Sequence, residues 1–138
     1  MNYMTVAEKL ALKALKKGDV PVGAVIVKND KIIGKGYNKK EKNNIATFHA
    51  EMLAIKNANK KIKNWRLDNC ELYCTMEPCM MCCGAIIQSR IKKVYYLIEN
   101  HNYGCTELLK NSKIEVIKLD INTSLKDKLI NFFKQKRL

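Results

Sequence analysis

Several things are scarce in this chain. Arginine occurs three times beside 23 lysines, acidic residues number 13 against 26 basic ones, and there are two prolines, three serines, two histidines and one tryptophan. So little proline, serine and glycine leaves no flexible linker and no low-complexity tract, and no internal repeat is present. Apolar runs are short, for example 24–27 and 94–98. None approaches the roughly 20 residues that cross a bilayer, which excludes a membrane-spanning helix. The N-terminus has no apolar stretch followed by a small-residue cleavage site, so the expectation is a cytoplasmic protein without a secretory signal. A length of 138 residues is expected to form a single domain over 1–138.

What is present in excess is positive charge. The formal net charge is +13, which points to a polyanionic partner such as nucleic acid. A plainer source competes with that reading. Asn and Ile number 14 each, and a Lys-, Asn- and Ile-rich composition is what an AT-rich coding sequence imposes on any surface. A reader of bases or phosphates more often uses Arg, whose planar fork matches those acceptors. The excess is also spread out: +6 over 1–45, +3 over 46–105 and +4 over 106–138. The six cysteines are Cys70, Cys74, Cys79, Cys82, Cys83 and Cys105. Without a secretory signal, metal ligation or core packing is expected for them ahead of a disulfide framework.

Apolar residues at i, i+4 and i+8 (Val6, Leu10, Ala14 and Ala7, Ala11, Leu15) predict an amphipathic helix over 3–17, closed by Gly18. Two β-rich runs around Asn29-Asp30 predict a hairpin over 22–37, and the polar stretch 39–45 reads as a loop. Helices are expected over 49–60, 79–89, 107–110 and 125–136, and strands over 72–75, 92–98 and 114–119. Strands alternating with helices argue an α/β sheet covered on both faces.

Two motifs carry chemistry. His49-Ala50-Glu51 and Pro78-Cys79-Met80-Met81-Cys82 each open an expected helix. Cys79 and Cys82 are i and i+3, so their sulfurs share one face of a first turn. Helix N-termini carry unpaired N–H groups and partial positive charge, which favour thiolates. One imidazole and two thiolates make three protein ligands, the number of a catalytic zinc whose fourth position stays open. Cys74 is the one serious candidate for a fourth ligand. Cys70 and Cys74 cannot both reach one metal, because four residues of strand rise about 13 Å. Cys83 points about a quarter-turn away from Cys82 on the helix. Glu51, two residues from His49, is placed to take a proton from water and hand it to a leaving amine. Zinc lowers the pKa of water to about 7. A lone His-x-Glu is a weak signal, but with Pro-Cys-x-x-Cys following on a second helix the combination is strong.

These residues carry a resemblance. Residues 20–24, Gly36-Tyr37-Asn38, 49–51, 75–82, 84–91 and 132–137 resemble the bacterial tRNA-specific adenosine deaminases of the cytidine deaminase-like superfamily, over nearly the whole chain. Ser89-Arg90-Ile91 and the aromatic-basic C-terminus favour that branch over the guanine and free-cytidine deaminases. The resemblance implies a three-layer α/β/α sandwich with a five-stranded mixed sheet, acting as a homodimer with one zinc ion per subunit. It implies conversion of adenosine to inosine at the wobble position of a tRNA anticodon stem-loop. By position, His49, Cys79 and Cys82 would bind zinc and Glu51 would shuttle protons. Asn38 would hydrogen-bond the base edge, Val22, Met76 and Pro78 would wall its pocket, and backbone near Ala50 and Cys79 would orient the reacting groups. RNA contacts are expected from Arg90, Asn100, His101, Tyr103, Phe133, Lys134, Lys136 and Arg137. The chain departs from the family pattern at 45–48, where Phe48 replaces a small residue, and at Asn100, where Asp is usual. Two other functions remain open at this point: a metabolic deaminase of free guanine or a cytidine nucleoside, and a non-catalytic zinc-stabilised RNA-binding module.

Overall fold

The hairpin turns through Asn29 and Asp30, both left-handed at φ 50° and 59°, the geometry whose twist matches that of the flanking strands. In the computed structural model, which describes residues 2–121 and 123–136, this hairpin forms one side of a five-stranded sheet. The elements run α1 (Tyr3–Lys16), β1 (Gly23–Lys28), β2 (Lys31–Tyr37), α2 (Lys40–Asn43), α3 (Ala50–Ile62), β3 (Glu71–Met76), α4 (Met80–Ser89), β4 (Lys93–Ile98), α5 (Thr106–Asn111), β5 (Glu115–Lys118) and α6 (Leu125–Lys136). The sheet order is β2-β1-β3-β4-β5. β1 is antiparallel to β2 and β3, while β3, β4 and β5 are parallel, so the sheet is mixed, as expected.

The helices cover both faces. β1 meets α1 at Gly23, whereas β2 turns Gly34 and Gly36 towards α3. A Cβ on Gly36 would run into the carbonyl of Ala50 and come within 2.6 Å of the Ala54 nitrogen. Only glycine lets the α3 backbone rest directly on the strand. α4 packs beside α3, and α6 beside α1. Between the layers lie Val25, Ile26, Leu72 and Val94 from the central strands, Met4 and Ala7 from α1, and Ala54 and Ile86 from the other face. Among the described residues, no helix is long and apolar enough to cross a membrane.

One element departs from expectation. The stretch 39–45 read as a loop, yet Lys40–Asn43 is a turn of helix. The cause lies 22 residues away. Asp19 is fully buried, and its Oδ2 accepts the N–H groups of Glu41 and Lys42 at 2.9 and 3.1 Å while its Oδ1 accepts that of Val20 at 2.8 Å. A carboxylate there satisfies the unpaired donors of a helix start, and no local pattern could announce it. A smaller difference is that His49 and Cys79 are the residues that cap α3 and α4, not their first helical residues.

Because the α3–β2 contact is backbone against backbone, Gly36→Val should cost about 1–3 kcal/mol of stability through overpacking. Urea unfolding measures this, and an unchanged midpoint would show that α3 can move aside freely.

Candidate active site

α3 and α4 both begin at the same end of the sheet, and this brings the two motifs together. His49 caps α3, Cys79 caps α4, and neither side chain caps its own helix. The first N–H groups of both helices therefore keep the region electropositive. His49 Nδ1 lies 3.7 Å from Cys79 Sγ and 3.6 Å from Cys82 Sγ. All three donor atoms fall within 4.8 Å of one another. A tetrahedral zinc, with Zn–S about 2.3 Å and Zn–N about 2.05 Å, requires an N···S separation of about 3.6 Å. The donor set fits zinc, with Nδ1 as the ligand nitrogen.

The thiols are already polarised. Cys79 is held down at about 3 by the Cys82 thiol and the His49 ring beside it, and Cys82 is raised, first by Cys79. Two sulfurs this close share one proton, and a coordinated metal would remove it. No fourth donor joins them among the described residues. Cys74 is buried and its thiol donates to the Tyr95 carbonyl at 3.5 Å. Cys83 turns instead to the Pro78 and Cys105 carbonyls at 3.6 and 3.3 Å. Among the described residues, the three donors leave the fourth position of a tetrahedral ion without a protein ligand.

Glu51, in the first turn of α3, is only 4% exposed. Burial pushes its carboxyl up to about 7, against the lowering pull of its own backbone N–H and of the His49 ring. A cation held by the three donors acts in the same lowering direction. Glu51 also lines a cavity of about 1240 Å³ that opens at the donor cluster and runs over the end of the sheet to Leu129, Ile130 and Phe133 of α6.

The zinc-binding region of the cytidine and deoxycytidylate deaminases matches residues 1–98. This chain belongs to that deaminase family. A tRNA-specific adenosine deaminase of Buchnera aphidicola is 41% identical over 142 residues, covering 98% of this chain and 94% of the relative. One of Bacillus subtilis is 45% identical over 109 residues, 79% of this chain and 68% of its own. Among solved structures, one from work on A-to-I editing by tRNA:A34 deaminases superposes with a TM-score of 0.79 at 30% identity, covering 85% of this chain and 96% of that one. A guanine deaminase of Bacillus subtilis superposes with a TM-score of 0.70 at 31% identity, covering 100% and 96%.

In this deaminase, the other residues singled out from sequence fall into three groups. Val22, Asn38, Met76, Asn100, His101, Tyr103 and Phe133 line the cavity. Asn38 does more than line it: its Oδ1 accepts the Ala50 N–H at 2.7 Å, which holds the start of α3, and its amide N–H₂ is the group that could donate to a ligand. Asn100 uses its side-chain oxygen to accept the Tyr103 N–H at 3.2 Å, a turn that the usual Asp would make equally well.

Ala50 and Pro78 are buried behind the site and do not line it. The Pro78 carbonyl accepts the Cys105 N–H at 3.2 Å and ties down the following loop. Arg90 and Lys134 also lie away from the cavity. Arg90 terminates α4 in a left-handed conformation at φ 68°, about 15 Å along the helix from its start, and faces Ile114 and Lys92. Arg137 and the side chain of Lys136 lie outside the described residues.

The residue that sequence reasoning passed over is Glu77. It stands inside a quoted motif, and its neighbours drew the attention. Its carboxylate accepts the Asn100 N–H at 3.1 Å and the Thr106 hydroxyl at 2.9 Å. A Cβ on Gly104 would lie 2.5 Å from its carboxyl carbon. Glu77 thus straps the 100–106 loop, one rim of the cavity, to the turn that carries Cys79.

Two outcomes are expected. Cys82→Ala should abolish zinc binding while Cys83→Ala retains one zinc per chain, measured by atomic absorption on purified protein. Glu77→Ala should leave zinc content unchanged yet speed amide hydrogen exchange across 100–106, since that loop loses two anchors.

Proposed function

We propose that this chain hydrolyses adenosine to inosine at the wobble position of a tRNA anticodon stem-loop, releasing ammonia. The observation that carries the reading is the buried Glu51 beside a three-donor cluster at one end of a groove larger than a nucleoside needs. His49, Cys79 and Cys82 would hold zinc, which would supply the Lewis acidity that makes water nucleophilic towards a purine carbon.

Glu51 takes the proton from that water and returns it to the departing amine, so one residue serves as base and then as acid. Burial raises this carboxyl and a bound cation would lower it, opposing influences that suit a group which first takes and then gives a proton. Asn38, with its oxygen committed to Ala50, donates to an acceptor on the base edge. Val22 and Met76 offer apolar walls. His101 and Tyr103, exposed where they line the cavity, would stack nucleotides beside an extruded base. Phe133 borders the far end of the groove, and Lys134 stands exposed next to it.

The same reading takes 1–138 as one catalytic domain, working as a cytoplasmic homodimer with one zinc per subunit. Six free thiols agree with a reducing compartment. The guanine deaminase likeness keeps a free base in the test as the competing substrate.

Purified zinc-loaded protein assayed on an anticodon stem-loop, guanine and cytidine should convert only the RNA. Glu51→Ala should lower kcat by about 10²–10⁴ or more with zinc content unchanged. Affinity for the stem-loop should fall with log salt at about −0.7 per phosphate contacted. Turnover of guanine or cytidine without RNA, insensitive to salt, would replace the RNA reading.

A further inference from the structure

Three lysines converge on a single tyrosine outside the cavity. The ammonium groups of Lys13, Lys17 and Lys39 lie 5.2, 5.4 and 4.9 Å from the centre of the Tyr37 ring. Lys17 also donates to the Tyr37 hydroxyl at 3.0 Å. They come from two places in the chain, the last turns of α1 and the segment after β2, so tertiary packing assembles the cluster.

Like charges gathered this closely repel one another, and an acidic partner would ordinarily relieve them. Elsewhere the lysines have such partners: Lys93 pairs with Glu115, Lys110 with Glu107 and Lys118 with Glu99. None of the ion pairs among the described residues involves Lys13, Lys17 or Lys39. The acid nearest Lys17 in sequence, Asp19, has its carboxylate committed to three backbone N–H groups. Glu8 is engaged by the Thr123 hydroxyl. The ring face of Tyr37 draws the three cations together and leaves them without an anion.

The cluster also adjoins the cavity. Tyr37 pairs with Gly23 at the end of the sheet where β3 delivers Met76. The next residue, Asn38, lines the cavity, as does Lys40. The Lys39 N–H bonds the Phe48 carbonyl at 2.9 Å, immediately before His49. Lys40 on the cavity lining and Lys39 on the Tyr37 ring are consecutive in the chain.

We propose that Lys13, Lys17 and Lys39, gathered on Tyr37, bind backbone phosphates of the RNA whose target base occupies the cavity. This rests on the RNA reading above and adds to it a contact surface on the α1 side of the sheet.

The test compares three zinc-loaded proteins: the parent, a triple variant (Lys13→Gln, Lys17→Gln, Lys39→Gln), and a control with equal charge removed from the opposite end of α3 (Lys60→Gln, Lys61→Gln, Lys63→Gln). Affinity for an anticodon stem-loop is measured at several salt concentrations, together with kcat at saturating RNA. The first variant should bind about tenfold more weakly near 0.15 M salt, with a log-log salt slope shallower by about 2 and kcat unchanged. The control should stay within about twofold of the parent. Parent-like affinity and slope in the first variant, or an equal loss in the control, would overturn the site. If the parent fails to deaminate the RNA at all, the functional reading fails, while a difference in binding between the two variants would still establish the phosphate site.

Discussion

The convergence of two helix N-termini is the constraint on which the rest depends. His49 and Cys79 are 30 residues apart, yet their side chains meet at 3.7 Å because α3 and α4 start side by side at one end of the sheet. Each start is held by backbone-level contacts. Gly36 lets α3 rest on β2, and the Asn38 side chain takes the Ala50 N–H. The β3–α4 turn is fastened from the other side, where Cys79 forms an isolated antiparallel bridge with Gly104 and Glu77 anchors Asn100 and Thr106. A shift of an ångström in either helix would take the donor atoms outside the separations that a tetrahedral ion accepts.

That geometry sets the electrostatics. A carboxylate as buried as Glu51 is costly in its charged form, and burial is the dominant influence on it. Its own backbone N–H, the His49 ring and a cation at the donor cluster work the other way. The balance leaves a group able to hold a proton or release it. At larger scale, the segment holding the metal motifs is the least basic of the three, at +3, and the positive charge lies on flanking elements. Lysines such as Lys40, Lys118 and Lys126 line the cavity itself. A chemical centre of low net charge inside a basic surround suits a polyanion whose reacting part is a neutral base.

Much of this was legible in the chain. The order of helices and strands follows from hydrophobic period, and the donor residues from their type and spacing. The i, i+3 pair of Cys79 and Cys82 is a local fact of helix geometry. What local pattern did not reveal has a common physical character. α2 exists because Asp19 reaches it from 22 residues away. Glu77 matters because of Asn100 and Thr106, neither adjacent in sequence. Arg90 sits in a quoted motif, and the ten residues of α4 set it at the far end of that helix from Cys79. Asn38 and Pro78 were recognised, but their oxygens serve backbone partners that only packing supplies.

Composition and covalent spacing by themselves determined which atoms are available: one imidazole, two thiols a helical turn apart, a carboxylate two residues beyond the imidazole, and an excess of lysine. They also determined that each motif opens a helix, because capping and periodicity are local. Tertiary structure alone decided that the imidazole and the thiols meet, that Cys74 and Cys83 turn elsewhere, that Glu51 is buried, and that lysines from α1 and from the segment after β2 share one tyrosine. The reason is that the sheet order β2-β1-β3-β4-β5 sets which helix starts become neighbours. Strand pairing across tens of residues is a property of the packed chain and of no short segment in it.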